Sequence, residues 1–423
     1  MRRTPVDGGT DRQFCSMNTR SRRFLLALWD GGGNVPPELG VARRVVARGH
    51  QVHVLGDPTF ADAAETAGCS FSSWQRAPHR RTFDPSDDLL KDWEANDPLD
   101  VLRRLRDELM SGPASAFAAD TAAVIGAFHP DALLADANLF GSVIAAEEAG
   151  LPVAALIPNI WEVPTPGTGD PAVLRITNRV LKGGLPDLNA ARAEHGLPPL
   201  TSLYDQILGA DRILVLSSET FDTASPFVPA NVRYVGPVLD DPTWTEPWSS
   251  PWPESNTDPL VLVGFSSMYQ NQGSLVQRVI DALSGMEVRA VVALGQMLTP
   301  GGLVAAPNVA VVQSAPHSIL VKEASVVVSH CGHGTTMKAL AAGVPMVCIP
   351  MGRDQDGTAA RVVGHGAGIQ LSPAASSAEI RTAVRDVLDD DGYRANARRV
   401  AATLASEHTP DDVVVEVEHL VGL

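Results

Sequence analysis

Short β-branched apolar runs alternate with helix-period segments along the whole chain, and this alternation constrains the fold more than any other feature. In the first half the runs are FLLAL (residues 24–28), QVHVLG, ALLADA, VAALIP and RILVLS; in the second, LVLVGFS, RAVVAL, VAVVQ, SVVVSH and VPMVCIP. Strands alternating with helices predict parallel sheets, right-handed crossovers and helices on both sheet faces. Residues 235–259, rich in Pro, Trp and Ser, read as a linker. With 423 residues there is room for two cores. The expectation is an α/β chain of two doubly wound, Rossmann-like domains, 21–234 and 260–400, facing a central cleft. Residues 401–423 form a C-terminal helix crossing back to the first domain, and residues 1–20 read as a disordered tail. Open α/β sheets bind ligands beyond the carboxyl ends of their strands, so both sets of strand-end loops should line that cleft.

Charge and composition exclude several functions. A formal net charge of -16 argues against nucleic acid as a partner. No apolar run approaches the ~18 residues of a membrane span. The polar, arginine-bearing start lacks the apolar core of a secretory signal. Cys15, Cys69, Cys331 and Cys348 have no zinc-ligand spacing, and a chain this long needs no disulfides. The expected setting is the cytoplasm, with no metal and no resident cofactor.

The stretch SVVVSHCGHGTTMKALAAGVPMVCIPMGRDQDG (325–357) is the most informative. A buried strand ends at Ser329 and His330, and Gly332, Gly334, Thr335 and Thr336 then open a helix. Free N–H groups at such a start bind phosphate oxygens, and the threonine hydroxyls add donors. His330 can donate to the same anion. One helix later, Asp354 and Gln355 arrive at the same sheet edge with acceptors and donors suited to sugar hydroxyls. The alternative is an ordinary strand–helix turn capped by threonine.

This stretch, from Ser329 to about Val362, resembles the donor-binding signature of nucleotide-sugar-dependent glycosyltransferases of the GT-B fold. It is most similar to their bacterial natural-product branch, the macrolide, polyketide and enediyne type of antibiotic biosynthesis and secondary metabolism. RGHQVHVLG, GPVL and SAPHSILVKEASVVVSH sit where that family has equivalents, so the resemblance covers most of residues 22–375. It implies an acceptor-binding first domain and a donor-binding second domain. His330, Gly332, Gly334, Thr335 and Thr336 would meet the donor diphosphate, Asp354 and Gln355 the sugar, Ala315 the base, and Ser267 the phosphates. Two departures stand out. Lys338 replaces a ribose-binding glutamate, which favours dTDP-sugars over UDP-sugars because an ammonium cannot accept a hydrogen bond. Ser314 and His317 replace an aromatic and a glutamine near the base.

In the first half, LWDGGGNVPPELG (28–40) joins a strand to a helix. The family keeps a general-base histidine at the position of Asn34 and an orienting aspartate at that of Asp136. Asn34 cannot cap the following helix in the usual way, because the N–H groups two and three residues on belong to Pro36 and Pro37. An amide takes no proton near neutral pH either. The expected catalytic group is therefore Asp136, with Asn34 facing substrate. Asp30 is a second choice that more naturally braces the turn, and an acidic acceptor would need no base. Gly33, Trp74 and Trp161 are the expected acceptor contacts, rings packing under their own loops being the alternative. Together these imply an inverting transfer of a (deoxy)sugar to an apolar small-molecule acceptor, with a homodimer left open. The competing functions are a non-catalytic, nucleotide-sugar-binding partner and a sugar-nucleotide epimerase or hydrolase.

Overall fold

The computed structural model describes residues 21–95, 97–162, 171–223 and 228–423; the tail expected over residues 1–20 lies outside them. Two all-parallel sheets carry the fold. The first holds β1 (Arg23–Ala27), β2 (Gln51–Gly56), β3 (Ser70–Ser73), β4 (Ala132–Asp136), β5 (Val153–Ile157), β6 (Arg212–Val215) and β7 (Val232–Tyr234). Their spatial order is β3-β2-β1-β4-β5-β6-β7. The second holds β8 (Leu260–Gly264), β9 (Arg289–Ala293), β10 (Val309–Val312), β11 (Ala324–Ser329), β12 (Met346–Cys348) and β13 (Gly368–Gln370), in the order β10-β9-β8-β11-β12-β13. The inner strands read as continuous apolar runs because both faces are covered; β4, β5 and β8 are buried at every residue. The strands that the runs do not announce, β3, β7 and β13, are short and lie at sheet edges. Among the described residues, no helix is long and apolar enough to cross a membrane.

In each sheet the strand order reverses once, between β1 and β4 and between β8 and β11. A crevice opens at such a reversal, where neighbouring loops diverge to opposite faces. The turn after β1 and the end of β4 lie at the first reversal. The loop after β8 and the start of the helix after β11 lie at the second.

The chain ties the two domains together twice. Residues 235–259 pack as a strap: Val235 and Val238 enter the first domain's core, and Asp240 pairs with Arg44 of the Val35–Ala47 helix at 2.6 Å. Farther along, Trp248 and Trp252 lie against the second domain's core. The last helix, Asp412–Leu420, sits on the first domain, with Val413, Val414 and Val417 packed among Phe24, Leu26, Val41 and Val45. Glu418 clamps it there, 2.8 Å from Arg48 and 3.2 Å from His50.

Candidate active site at the domain cleft

The glycine turn after β1 is built for contact across the cleft. Gly32 has φ +81, and a Cβ there would lie 2.3 Å from Met268 Cγ and 3.0 Å from Ser267 Oγ, both on the loop after β8. Only glycine allows that conformation and that approach. A Cβ on Gly33 would meet nothing within 4 Å, so this residue faces open space.

Asn34 stands at the N-cap of the Val35–Ala47 helix and makes no side-chain cap hydrogen bond. Its amide instead knits the turn to the end of β4. Oδ1 accepts from the Gly31 N–H at 3.0 Å, and Nδ2 donates to Trp29 O at 2.9 Å. The same Nδ2 lies 3.2 Å from Glu38 Oε2 and 3.2 Å from Asp136 Oδ2. Asp136 is 1% exposed, beneath this amide, and its Oδ1 accepts from the Asn138 backbone N–H (2.8 Å) and Nδ2 (3.0 Å). Burial raises the Asp136 pKa against those hydrogen bonds. Asp30 is held within the turn, accepting from Thr59 Oγ1 at 2.6 Å and from the Gly32 N–H at 3.0 Å.

Arg80 reaches across to the second domain. It is 1% exposed, with Nη1 2.8 Å from Met268 Sδ and 3.7 Å from Asp30 Oδ2. Beside it Asp57 accepts from the Asp30 and Arg80 N–H groups, and burial pushes its carboxyl up to about 8.

On the second domain, β11 delivers His330, and Gly332 is the N-cap of the His333–Ala341 helix. A Cβ on Gly332 would lie 2.5 Å from His330 Nε2, so glycine is needed for the imidazole to lie over the helix start. Burial pushes His330 down to about 4, which leaves it a neutral hydrogen-bonding group near pH 7. Gly334 and Thr335 are partly exposed in the first turn, and the buried Thr336 hydroxyl has no partner. These groups present hydrogen-bond donors without a formal positive charge of their own, an arrangement that can receive an anion.

Asp354 and Gln355 begin the next helix, Gln355–Gly364. Gln355 is tied within its own domain: Oε1 accepts from the Met351 N–H at 2.7 Å, and Nε2 donates to Gln270 Oε1 at 3.1 Å. Asp354 makes no side-chain cap bond. Its neighbour Arg353, at φ 57, reaches the first domain and donates to Gly31 O at 3.0 Å.

Two aromatic expectations need correction. Trp74 does not face the cleft: it is 1% exposed, donates Nε1–H to Leu28 O at 3.2 Å and packs edge-on against Phe117. An indole in a loop beside a sheet is drawn into the core whenever its N–H finds a carbonyl there. Trp161 is also buried, with its backbone N–H donating to Asp222 at 2.7 Å and its indole N–H unpartnered. Trp93 meets the second domain instead, edge-on to Tyr269 at 5.0 Å.

Around the expected base-binding region, Ala315 is buried, and Ser314 Oγ accepts from the Glu246 N–H of the strap at 2.9 Å. Lys338 does not extend into solvent. Its Nζ lies 3.3 Å from Asp241 of the strap, whose carboxylate also accepts from Ser318. Asp241 was not legible as a site residue, because its sequence neighbours mark it only as part of a linker. Glu38 and Arg353 escaped notice too, the one inside an apolar helix pattern and the other beside a more conspicuous Asp-Gln pair. Among the described residues, no group of three or more His, Cys, Asp or Glu could hold a metal ion.

Comparison with known proteins bears on what this cleft does. Residues 277–420 match the family described as erythromycin biosynthesis protein CIII-like, C-terminal domain. The 4'-demethylrebeccamycin synthase of Lentzea aerocolonigenes is 28% identical over 94% of this chain and 99% of its own length. The oleandomycin glycosyltransferase of Streptomyces antibioticus is 27% identical over 89% of this chain and 85% of its own length. Among solved structures, the calicheamicin glycosyltransferase CalG4 superposes with a TM-score of 0.79 at 23% identity, covering 95% of this chain and 99% of that one. The fold is GT-B, and the chain's homologues are glycosyltransferases of antibiotic biosynthesis.

Proposed function

We propose that this chain, a homologue of the antibiotic-biosynthesis glycosyltransferases, moves a sugar with inversion from a nucleoside diphosphate to an apolar natural-product acceptor. One observation carries the proposal: the glycine turn after β1 and the loops of an anion cradle meet at the two sheet reversals, with Gly32 against Ser267 and Met268. A donor lying along the second domain then places its anomeric carbon opposite the turn that holds Asn34 and Asp136.

The neutral His330 and the N–H groups of the His333–Ala341 helix take the diphosphate and stabilise it as it departs. Asp354 takes sugar hydroxyls, while Gln355 holds its own loop in shape. No metal is required, because the cradle supplies the donors a leaving diphosphate needs.

Asp136 takes the acceptor's proton; its raised pKa suits that task. Asn34 caps Asp136 Oδ2, so the amide must turn aside when the acceptor enters. Lys338, tied to Asp241, leaves no acceptor at the helix position for a ribose 2′-hydroxyl and favours dTDP- over UDP-sugars. The proposed setting is the cytoplasm.

The test is release of nucleoside diphosphate by the purified protein across a panel of aglycones and dTDP- and UDP-sugars, with the anomeric configuration of the product read by NMR. Donor that binds but is never consumed, by any acceptor, would identify a non-catalytic partner. Retained configuration would overturn inversion.

A further inference from the structure

Glu38 lies in the first turn of the Val35–Ala47 helix and is 0% exposed. A charged side chain does not enter such a place without compensation. Among the described residues, no cation pairs with it. Its Oε2 accepts from Asn34 Nδ2 at 3.2 Å, the same nitrogen that lies 3.2 Å from Asp136 Oδ2, and its Oε1 is buried with no partner. The two carboxyls thus meet at one nitrogen, close enough for the charge of Asp136 to act on Glu38. Two ionised carboxylates offer only acceptors, so a bond between them requires one proton.

Counting donors decides where that proton sits. Asp136 receives the Asn138 N–H, the Asn138 amide and the Asn34 amide, with the Trp29 indole alongside. Glu38 receives the Asn34 amide alone. Hydrogen bonds to a carboxylate favour its charged form, so the charge belongs on Asp136 and the proton on Glu38. Burial, and then the charge of Asp136, hold Glu38 well above the usual carboxylate range.

The other charges nearby are engaged elsewhere. Arg43 and Arg44 pair with Asp240 of the strap, and Arg48 pairs with Glu418 of the last helix. Asp30 is bound within the turn and faces Arg80, while Arg353 reaches the Gly31 carbonyl.

We propose that Glu38 is a positioning residue: held as the neutral acid, it donates to Asp136 and makes the two carboxyls a unit with one proton and one charge, bridged by Asn34. This rests on Asp136 being the base. During transfer the proton leaving the acceptor's attacking atom goes to Asp136, the Glu38 proton stays in place, and the nucleoside diphosphate leaves with the bonding electron pair. When alkaline pH removes the Glu38 proton, two adjacent buried carboxylates repel each other and Asn34 can no longer satisfy both in one geometry.

Two measurements test this. In kcat/KM against pH, the wild type loses ~10-fold per unit above the pair's upper apparent pKa, whereas Glu38→Gln, which keeps a donor toward Asp136 but cannot titrate, stays flat. The wild-type-minus-Glu38→Gln infrared difference spectrum at neutral pH shows a protonated-carboxyl carbonyl band, to which Asp57, neutral in both proteins, does not contribute. An alkaline limb unchanged in Glu38→Gln, or no such band in the difference spectrum, overturns the proposal. The reading of Asp136 fails separately, if Asp136→Asn keeps full turnover; the infrared band needs no turnover and still reports whether Glu38 holds its proton.

Discussion

Arg353 and Asp92 meet from opposite domains in a two-point ion pair, with Nε 2.7 Å from Oδ2 and Nη2 3.1 Å from Oδ1. Asp92 also accepts from Gln270, which in turn holds Gln355, so the loop expected to cradle the sugar is braced by the first domain. Burial pushes Asp92 up, but the Arg353 charge and the hydrogen bonds outweigh it and hold the carboxyl below its usual value. A depressed carboxyl contributes stability above its unfolded pKa, lost as pH falls through the folded one. Asp92→Asn should weaken the tie by about 1–3 kcal/mol, discounted from a fully buried pair because the arginine is partly exposed. The expected outcome is a donor KM raised ~10-fold with a smaller change in melting temperature; equal KM values would sink it.

Asp136→Asn preserves shape and removes the proposed base. Turnover should fall by ~10²–10⁴-fold while dTDP binding, measured by calorimetry, stays within about twofold. Loss of donor binding in that variant would mean that Asp136 holds the fold rather than the proton.

His330 is already neutral in the free protein near pH 7, because burial holds it at about 4. The role proposed for it in donor binding is then hydrogen bonding without charge, so dTDP affinity should be nearly flat between roughly pH 6 and 8 apart from the ligand's own ionisation. His330→Ala should weaken binding by about 1–2 kcal/mol, the worth of a hydrogen bond to a charged group. A steep gain in affinity on acidification through pH 6, abolished in His330→Ala, would contradict the neutral imidazole.

Stability should fall as pH rises through neutrality. His317 and His330 are lowered to about 4 by burial, so the unfolded chain binds more protons and stability falls as pH drops from about 6.5 towards 4. Glu38 and Asp57 are raised, Asp57 to about 8, so stability is fully present below their unfolded values and is lost as pH rises through the folded ones. Between about pH 4 and 6.5 the histidine and carboxyl contributions oppose each other, and from there to about pH 8 the carboxyl loss stands alone, so melting temperature should fall over that interval and Asp57→Asn should flatten the fall. An alkaline limb identical in that variant would count against the assignment.

Lys338→Glu should restore an acceptor beside the strap and shift the ratio of UDP to dTDP affinity upward, ~10-fold for one regained hydrogen bond to a charged group. Because Asp241 then loses its partner, the double variant Lys338→Glu/Asp241→Asn is the cleaner comparison. No change in the ratio would remove Lys338 from donor selection.

Most of the architecture was legible because strands buried on both faces, such as β5 and β8, announce themselves as uninterrupted apolar runs. Edge strands such as Ser70–Ser73 did not, being half polar and four residues long. Around Asn34, the missing N–H groups of Pro36 and Pro37 sufficed to exclude capping, and the amide has no such bond. Its partnership with Glu38 was hidden because a glutamate one turn on normally faces water. Trp74 misled for a related reason: a loop aromatic looks available until the distance from its indole to a carbonyl is known. Contacts between halves of the chain, such as Arg353 with Gly31, have no local signature at all.

The last helix has a consequence for how the chain acquires its shape. Val413, Val414 and Val417 complete the apolar layer that begins with Phe24 and Leu26. The first domain to be synthesised is thus finished only after the second, since one side of its core stays open to water until Asp412–Leu420 has been made. A nascent chain stalled in the second domain would carry an exposed hydrophobic seam on its first.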